Sequence, residues 1–222
     1  MDEKNKAVQY SSGMVGLRER KKQRTRQALI EAALRLFSEK GFEETTLAEI
    51  AAAADVSTRT FFSYFAGKED VVFHDSAKRL DLATAILAGR QPGDTVTGLL
   101  VRIIDESLLW ATSEENMTFE GARLRLRLVL EEPALQARAL LVLFDTQLKL
   151  AKALHEAFPE ELTPVDAAAA VGAMVGAVQV AVVANLEEER SLRAMYETGR
   201  RAAEVALSGL RSPGGVEKNP AG

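Results

Sequence analysis

Two short apolar-patterned segments, LAEIAAAA at 47–54 and TRTFFSYF at 58–65, are separated only by Asp55, Val56 and Ser57. Each has helical periodicity, and a connection this short makes two helices cross steeply, which is the helix-turn-helix arrangement. Ala51 and Ala54 are small enough for close approach. Leu47, Ile50, Val56, Phe61 and Phe65 can share one core with Leu36 and Phe37 of a preceding helix. Thr46 with Glu49 has capping-box spacing at the start of the first segment, and Ser57 can cap the second. Thr58, Arg59, Thr60, Phe62, Ser63 and Tyr64 are left facing outward. Two readings of that polar tip compete: a solvated first turn, or a surface built to touch something.

The rest of the chain reads as helix. A helix is expected from about Leu17 to Lys40, stopped by Gly41, and another from Lys68 to about Leu87. Further helices are expected near 95–112, 117–131, 134–158, 164–188 and 191–210, for about nine in all. All six prolines fall between or beyond these segments, where breakers belong in an all-α fold. The expected division is a tail through residue 17, a three-helix helix-turn-helix domain at 18–67, a larger helical domain at 68–211, and a second tail at 212–222.

Charge separates the two halves. The net charge is −4, yet residues 1–68 hold 12 Lys+Arg against 9 Asp+Glu, and the remainder holds 16 against 23. The basic excess concentrates in RERKKQRTR at 18–26. One polyanion-binding end on an acidic body fits this asymmetry, as does a solvated helix face. Beside the helix-turn-helix, double-stranded DNA is the expected partner. Arginine matches the O6 and N7 of guanine, threonine contacts a thymine methyl or a phosphate, and a helix N-terminus favours phosphate oxygen. Arg59, with Thr58 and Thr60, is therefore the expected base reader. Arg24 and Arg26 are expected on phosphates, with the more N-terminal arginines reaching a minor groove.

TTLAEIAAAADVSTRTFFSYFAGKEDVV, preceded by ALIEAALRLFSEKGFEETT, resembles the DNA-binding domain of the TetR family of transcriptional regulators across about residues 20–72. The resemblance implies a phosphate contact from Thr46, base or phosphate contacts from Ser57, Thr58, Arg59 and Thr60, and backbone contacts from Phe62, Tyr64 and Lys68. Two positions depart from the family pattern. Phe62 stands where many members have tyrosine, and Asp55 where many have glycine. Aspartate tolerates that turn geometry, but it brings a negative charge toward DNA.

For the larger half, the resemblance implies a two-fold homodimer on a palindromic operator, released by a small molecule, in the cytoplasm. The small-residue helix 164–188, expected to be buried on nearly all sides, and the amphipathic helix 191–210 would form a four-helix bundle with a second chain. Trp110, Phe119, Phe144, Gln147, Met174 and Gln179 are candidate pocket residues, each of which also fits plain core packing; Gln179 fits the dimer interface as well. Arg123, Arg125 and Arg127 alternate at a spacing that one helix face cannot hold, so at least one turns inward, where it would suit an anionic ligand. Arg123 and Arg125 are the candidates. RLRLVLEEPALQAR also resembles a subgroup with acyl-CoA-like ligands. Ligand coupling is expected through the continuous helix 68–87.

Other classes fare worse. There is no cysteine, no nucleophile elbow and no phosphate loop, so no enzyme is expected. No metal or cofactor is assigned, although His74-Asp75 raises the question. Residues 167–186 lack charge, but alanine and glycine dominate and Gln179 and Asn185 interrupt them, so no membrane span is assigned. A helical protein-interaction module without operator preference is the alternative.

Overall fold

The computed structural model describes residues 3–111, 118–188 and 190–208, and among these every regular element is a helix. Ten helices form two compact units, residues 1–74 and 75–222. The expected helix 68–87 accounts for the extra element, because it breaks in two, and the unit boundary falls at that break rather than at residue 67.

The first unit contains α1 (Glu3–Lys40), α2 (Leu47–Ala53), α3 (Thr58–Phe62) and α4 (Lys68–Val72). The backbone of α1 begins at Glu3, inside the stretch expected as a tail; no proline interrupts residues 3–40 to end it earlier. Gly41 ends the helix with φ +89°, a conformation that costs glycine nothing. Leu29, Ala33 and Phe37 of α1 meet Phe42, Ile50, Phe61, Phe65, Val71 and Val72 in a core that excludes water. Phe37 packs on Phe42 and Phe61 on Phe65, with ring centroids 5.0 and 5.6 Å apart. Each such ring contributes roughly 1.5–3 kcal/mol by leaving water. Leu36, Leu47 and Val56, expected in the same core, are half-buried at its rim.

The second unit contains α5 (Ser76–Ala88), α6 (Val96–Ala111), α7 (Phe119–Glu131), α8 (Pro133–Ala157), α9 (Pro164–Ala184) and α10 (Leu192–Ser208). Pro133 and Pro164 each occupy a first helical turn, where the missing N–H is not needed. Thr163 and Asp166 make a second capping box on α9, a signal present in the sequence but not singled out there. Leu99, Leu100 and Ile103 of α6, Leu150 and Leu154 of α8, Val171 and Met174 of α9, and Leu207 of α10 form its core.

α9 corrects an expectation. It is not buried on nearly all sides: Ala167, Ala170, Val171 and Met174 face the core, while Val165, Ala168, Ala169, Ala173, Val180 and Val183 are exposed. Among the described residues, α8 and α10 pack against one face of α9 and no element covers the other. By length and composition α9 could cross a membrane, with 22% of its most apolar stretch buried.

Candidate nucleic-acid interface

α2 starts as its sequence dictates. Thr46 Oγ1 donates to Glu49 Oε2 at 2.7 Å, the Thr46 amide donates to the same oxygen at 2.9 Å, and the Glu49 amide donates back to Thr46 Oγ1. Lys40 adds an ion pair to Glu49. The hydrogen bonds from Lys40 and Thr46 hold the Glu49 carboxyl at about 2, well below its usual range.

The turn that follows contains the only left-handed non-glycine residue among those described, Asp55, with φ +54°. It is the position where the family pattern favours glycine, and the strain follows from the Cβ crowding its own carbonyl. The Val56 amide closes the turn on the Ala51 carbonyl at 2.9 Å.

α3 is shorter than expected, because the backbone tightens after Phe62: the Ser63 amide turns to the Thr60 carbonyl at 3.1 Å. Ser57 Oγ accepts from the Thr60 amide at 3.1 Å and pairs with the Thr60 hydroxyl at 2.9 Å. Ser57 is therefore a cap first, and Thr60 is half-buried beside it. Thr58 and Arg59 stand exposed on this fixed turn, and Phe62 is 56% exposed, edge-on to buried Phe61 at 5.8 Å. Phe61 and Phe65 hold the short helix from behind while Thr58, Arg59 and Phe62 face solvent.

A groove runs beside α3. Arg18, Lys21, Lys22, Arg24 and Thr25 of α1 form one wall, and Asp55, Val56, Thr60, Ser63 and Tyr64 the other, with Glu19 also on the α1 side. Arg24, Thr60 and Tyr64 thus line the same groove. Arg18, Lys21, Lys22 and Thr25 were not singled out individually from the sequence, though their spacing marks one helix face. Tyr64 is half-buried in this groove.

Two expected phosphate contacts are turned inward instead. Lys68 Nζ donates to the carbonyls of Phe42 at 2.7 Å, Glu43 at 3.1 Å and Thr45 at 3.3 Å, and lies 4.4 Å from the Phe42 ring centroid. An ammonium has three protons, and these carbonyls take all of them. Lys68 ties the α1–α2 loop to α4. Arg26 donates to the His74 carbonyl, with its guanidinium 5.4 Å from the Phe65 ring centroid. Sequence spacing could not show this, because both partners depend on how α4 folds back on α1.

In the second unit the pocket candidates stand in different environments. Met174 is core. Phe144 and Gln179 are exposed, at odds with a pocket lining, because among the described residues no other element covers the helix faces on which they lie. Trp110, Phe119 and Gln147 are half-buried, and Lys78 lies 5.0 Å from the Trp110 ring. Of the alternating arginines, Arg123 and Arg125 turn inward, while Arg127 is exposed. Arg125 is held by Asp75, with Nη2 to Oδ1 at 2.8 Å. Arg123 reaches Glu187 at 3.2 Å, sits 5.7 Å from the Phe119 ring, and keeps a buried Nε without a hydrogen-bond acceptor among the described residues. His74 donates from Nδ1 to the Val71 carbonyl, and no group of potential metal ligands stands together among the described residues.

The first unit is therefore a helix-turn-helix module with an exposed reading turn and a basic flank. Residues 29–74 match the family model for bacterial regulatory proteins of the tetR family. Over 56 residues the chain is 55% identical to the HTH-type transcriptional regulator TcmR of Streptomyces glaucescens, and this covers 25% of each chain. The chain thus spans about a quarter of that relative's length. Among solved structures, FadR of Thermus thermophilus, a TetR-family transcriptional repressor in complex with lauroyl-CoA, aligns with a TM-score of 0.53 at 22% identity, over 89% of this chain and 98% of that one. SmeT, the repressor of the Stenotrophomonas maltophilia multidrug efflux pump SmeDEF, aligns with a TM-score of 0.55 at 18% identity, over 88% and 97%. These two likenesses concern the fold, and they extend it through the second unit. Residues 29–74 thus carry the DNA-binding segment described for bacterial regulatory proteins of the tetR family.

Proposed function

We propose that the protein is a ligand-responsive transcriptional repressor acting in the cytoplasm, binding a palindromic operator as a homodimer and leaving it when a small molecule binds the second unit. The observation that carries the reading is the fixed, exposed pair Thr58 and Arg59 on a helix anchored by Phe61 and capped by Ser57. A side chain that reads bases must be presented without motion, and the cap and the buried ring supply that rigidity. Thr46, at the exposed start of α2, and Arg24, Phe62 and Tyr64 flank the reading turn as backbone contacts. The basic face Arg18, Lys21, Lys22 and Arg24 supplies affinity that does not depend on sequence.

The open apolar face of α9, with Val165, Val180 and Val183 exposed, is what a second copy would cover to pair the two heads. For the effector, an apolar molecule bearing an anionic group fits best, because Arg123 retains an unused buried donor beside Phe119. The fold likeness to FadR with lauroyl-CoA supports an acyl-CoA-like ligand, and SmeT shows that the same fold serves other regulators.

Selection of bound fragments from random duplex DNA tests the reading. An inverted repeat with a fixed spacing is the expected product. Affinity should fall linearly in log–log form with added salt. A purified protein that enriches no sequence would instead identify a helical interaction module.

A further inference from the structure

The outer face of α3 carries one large apolar side chain. Phe37, Phe42, Phe61 and Phe65 are at most 5% exposed, whereas Phe62 is 56% exposed. Among the described residues of the first unit, Leu17 is the one other large hydrophobic in water. A single exposed apolar residue is ordinary on a protein surface; one held in a fixed direction on a reading face is not. Thr58, Arg59, Phe62 and Ser63 are exposed together, at the three- and four-residue spacing that lines one side of a helix. Phe62 therefore stands one turn beyond Arg59 on the face that Arg59 presents. Three residues of helix rise about 4.5 Å, and base pairs stack about 3.4 Å apart, so the two side chains reach neighbouring base steps. The ring is also aimed. It meets the buried Phe61 ring edge-on, with 5.8 Å between centroids and 89° between planes. Phe61 is in turn packed on Phe65. The neighbouring hydroxyls are committed locally: Ser63 Oγ donates to the Thr60 carbonyl at 2.6 Å, and the Thr60 and Ser57 hydroxyls pair at 2.9 Å.

A phenyl ring has no hydrogen-bond donor or acceptor, so it holds neither a phosphate oxygen nor the polar edge of a base. Among the groups that base pairs present in the major groove, the apolar one is the C5-methyl of thymine. We infer that Phe62 is a specificity-determining residue that reads the C5-methyl of a thymine in each half-site, one or two base steps from the base read by Arg59. Phe62 thereby moves from the backbone flank to the bases, an assignment that rests on the repressor reading. The rigid edge-on contact with Phe61 is what lets a side chain without hydrogen bonds discriminate, because the ring cannot swing away from a base that lacks the methyl to find another contact.

Uracil in place of thymine removes that methyl and nothing else, so the contact can be tested on the DNA side with the unaltered full chain. On the operator selected with wild-type protein, each thymine is replaced in turn by uracil and affinity is measured by titration. One thymine per half-site should be sensitive, with a loss of about fourfold for each methyl removed. It should lie within about two base pairs of the base at which Arg59→Ala relaxes discrimination. Phe62→Ala should bind the thymine and uracil operators alike and keep the wild-type salt slope, since no phosphate contact is lost. No sensitive thymine in either half-site would overturn the inference, as would a uracil loss that Phe62→Ala retains in full. A loss that Thr58→Ala removes and Phe62→Ala keeps also overturns it, by giving the methyl to the threonine. Should Phe62→Ala fail to fold, the wild-type scan still decides, because a sensitive thymine farther from the Arg59 base lies beyond the reach of Phe62. A wild-type chain that enriches no sequence defeats the repressor reading and this assignment together; an enriched operator without a sensitive thymine defeats the assignment alone.

Discussion

The two units solve opposite problems with the same kind of helix. In the first, α2, α3 and α4 span only Leu47–Ala53, Thr58–Phe62 and Lys68–Val72, lengths at which an isolated helix does not hold in water. They persist because caps, a clamp and buried rings hold each one from outside. In the second, α8 and α9 run for 25 and 21 residues and stand on their own hydrogen bonds, yet leave apolar faces open. Leu140, Leu141, Phe144 and Leu148 of α8 are as exposed as the outer valines of α9. The contrast teaches that caps and buried rings concentrate around the exposed turn of α3, while the long helices leave apolar surface open.

The sharpest way to break the comparison is to empty the core behind the reading turn. Phe61→Ala should cost about 3–5 kcal/mol and remove operator binding, measured by urea unfolding and DNA titration. A second unit that keeps its helicity in that variant would confirm that the two units hold themselves independently.

Lys68→Met comes next. It leaves the carbonyls of Phe42, Glu43 and Thr45 without their donor and should cost about 1–3 kcal/mol of stability. The salt slope of DNA binding should stay at its wild-type value. A slope reduced by about 0.9 would return Lys68 to the phosphate backbone.

Arg59→Ala should reverse that pattern. Stability stays, while affinity falls by about 1–3 kcal/mol and discrimination relaxes at one base position. Loss of the same size on every sequence would move Arg59 from base to phosphate.

Asp55→Gly releases the left-handed strain and removes a negative charge from the basic groove. It should change stability by no more than about 1 kcal/mol, in the favourable direction, and strengthen DNA binding at low salt. Weaker binding instead would mean that the carboxylate itself recognises a base.

The smallest effect concerns Glu49. Its folded carboxyl titrates at about 2 against an ordinary 4.5, so the ionised capping box contributes fully above 4.5. That contribution disappears as pH falls from 4.5 toward 2. Glu49→Gln should flatten this part of an acid-unfolding curve and lower stability at pH 7 by the small contribution that the ionised capping box makes there.

The candidate reading turn was legible because its signals are local. Thr46 with Glu49, Ser57 with Thr60, and the spacing of Ile50, Phe61 and Phe65 act within one or two turns of chain. Arg59 follows as the side chain left over. Lys68 and Arg26 were misread for the opposite reason: a cation beside a DNA-binding motif looks free until the carbonyls that face it are known. Phe144 and Gln179 failed as pocket residues because periodicity shows that a helix has an apolar face without showing what covers it.

The amino-acid order alone determined the helical class, the three-residue turn and the polar tip, since caps, breakers and period act between neighbours. Only the tertiary structure decided where the helix after Lys68 breaks, which cations turn inward, and that Asp75 serves Arg125 rather than its own helix. Those choices join residues about fifty positions apart, where packing geometry selects among partners that the sequence leaves equivalent.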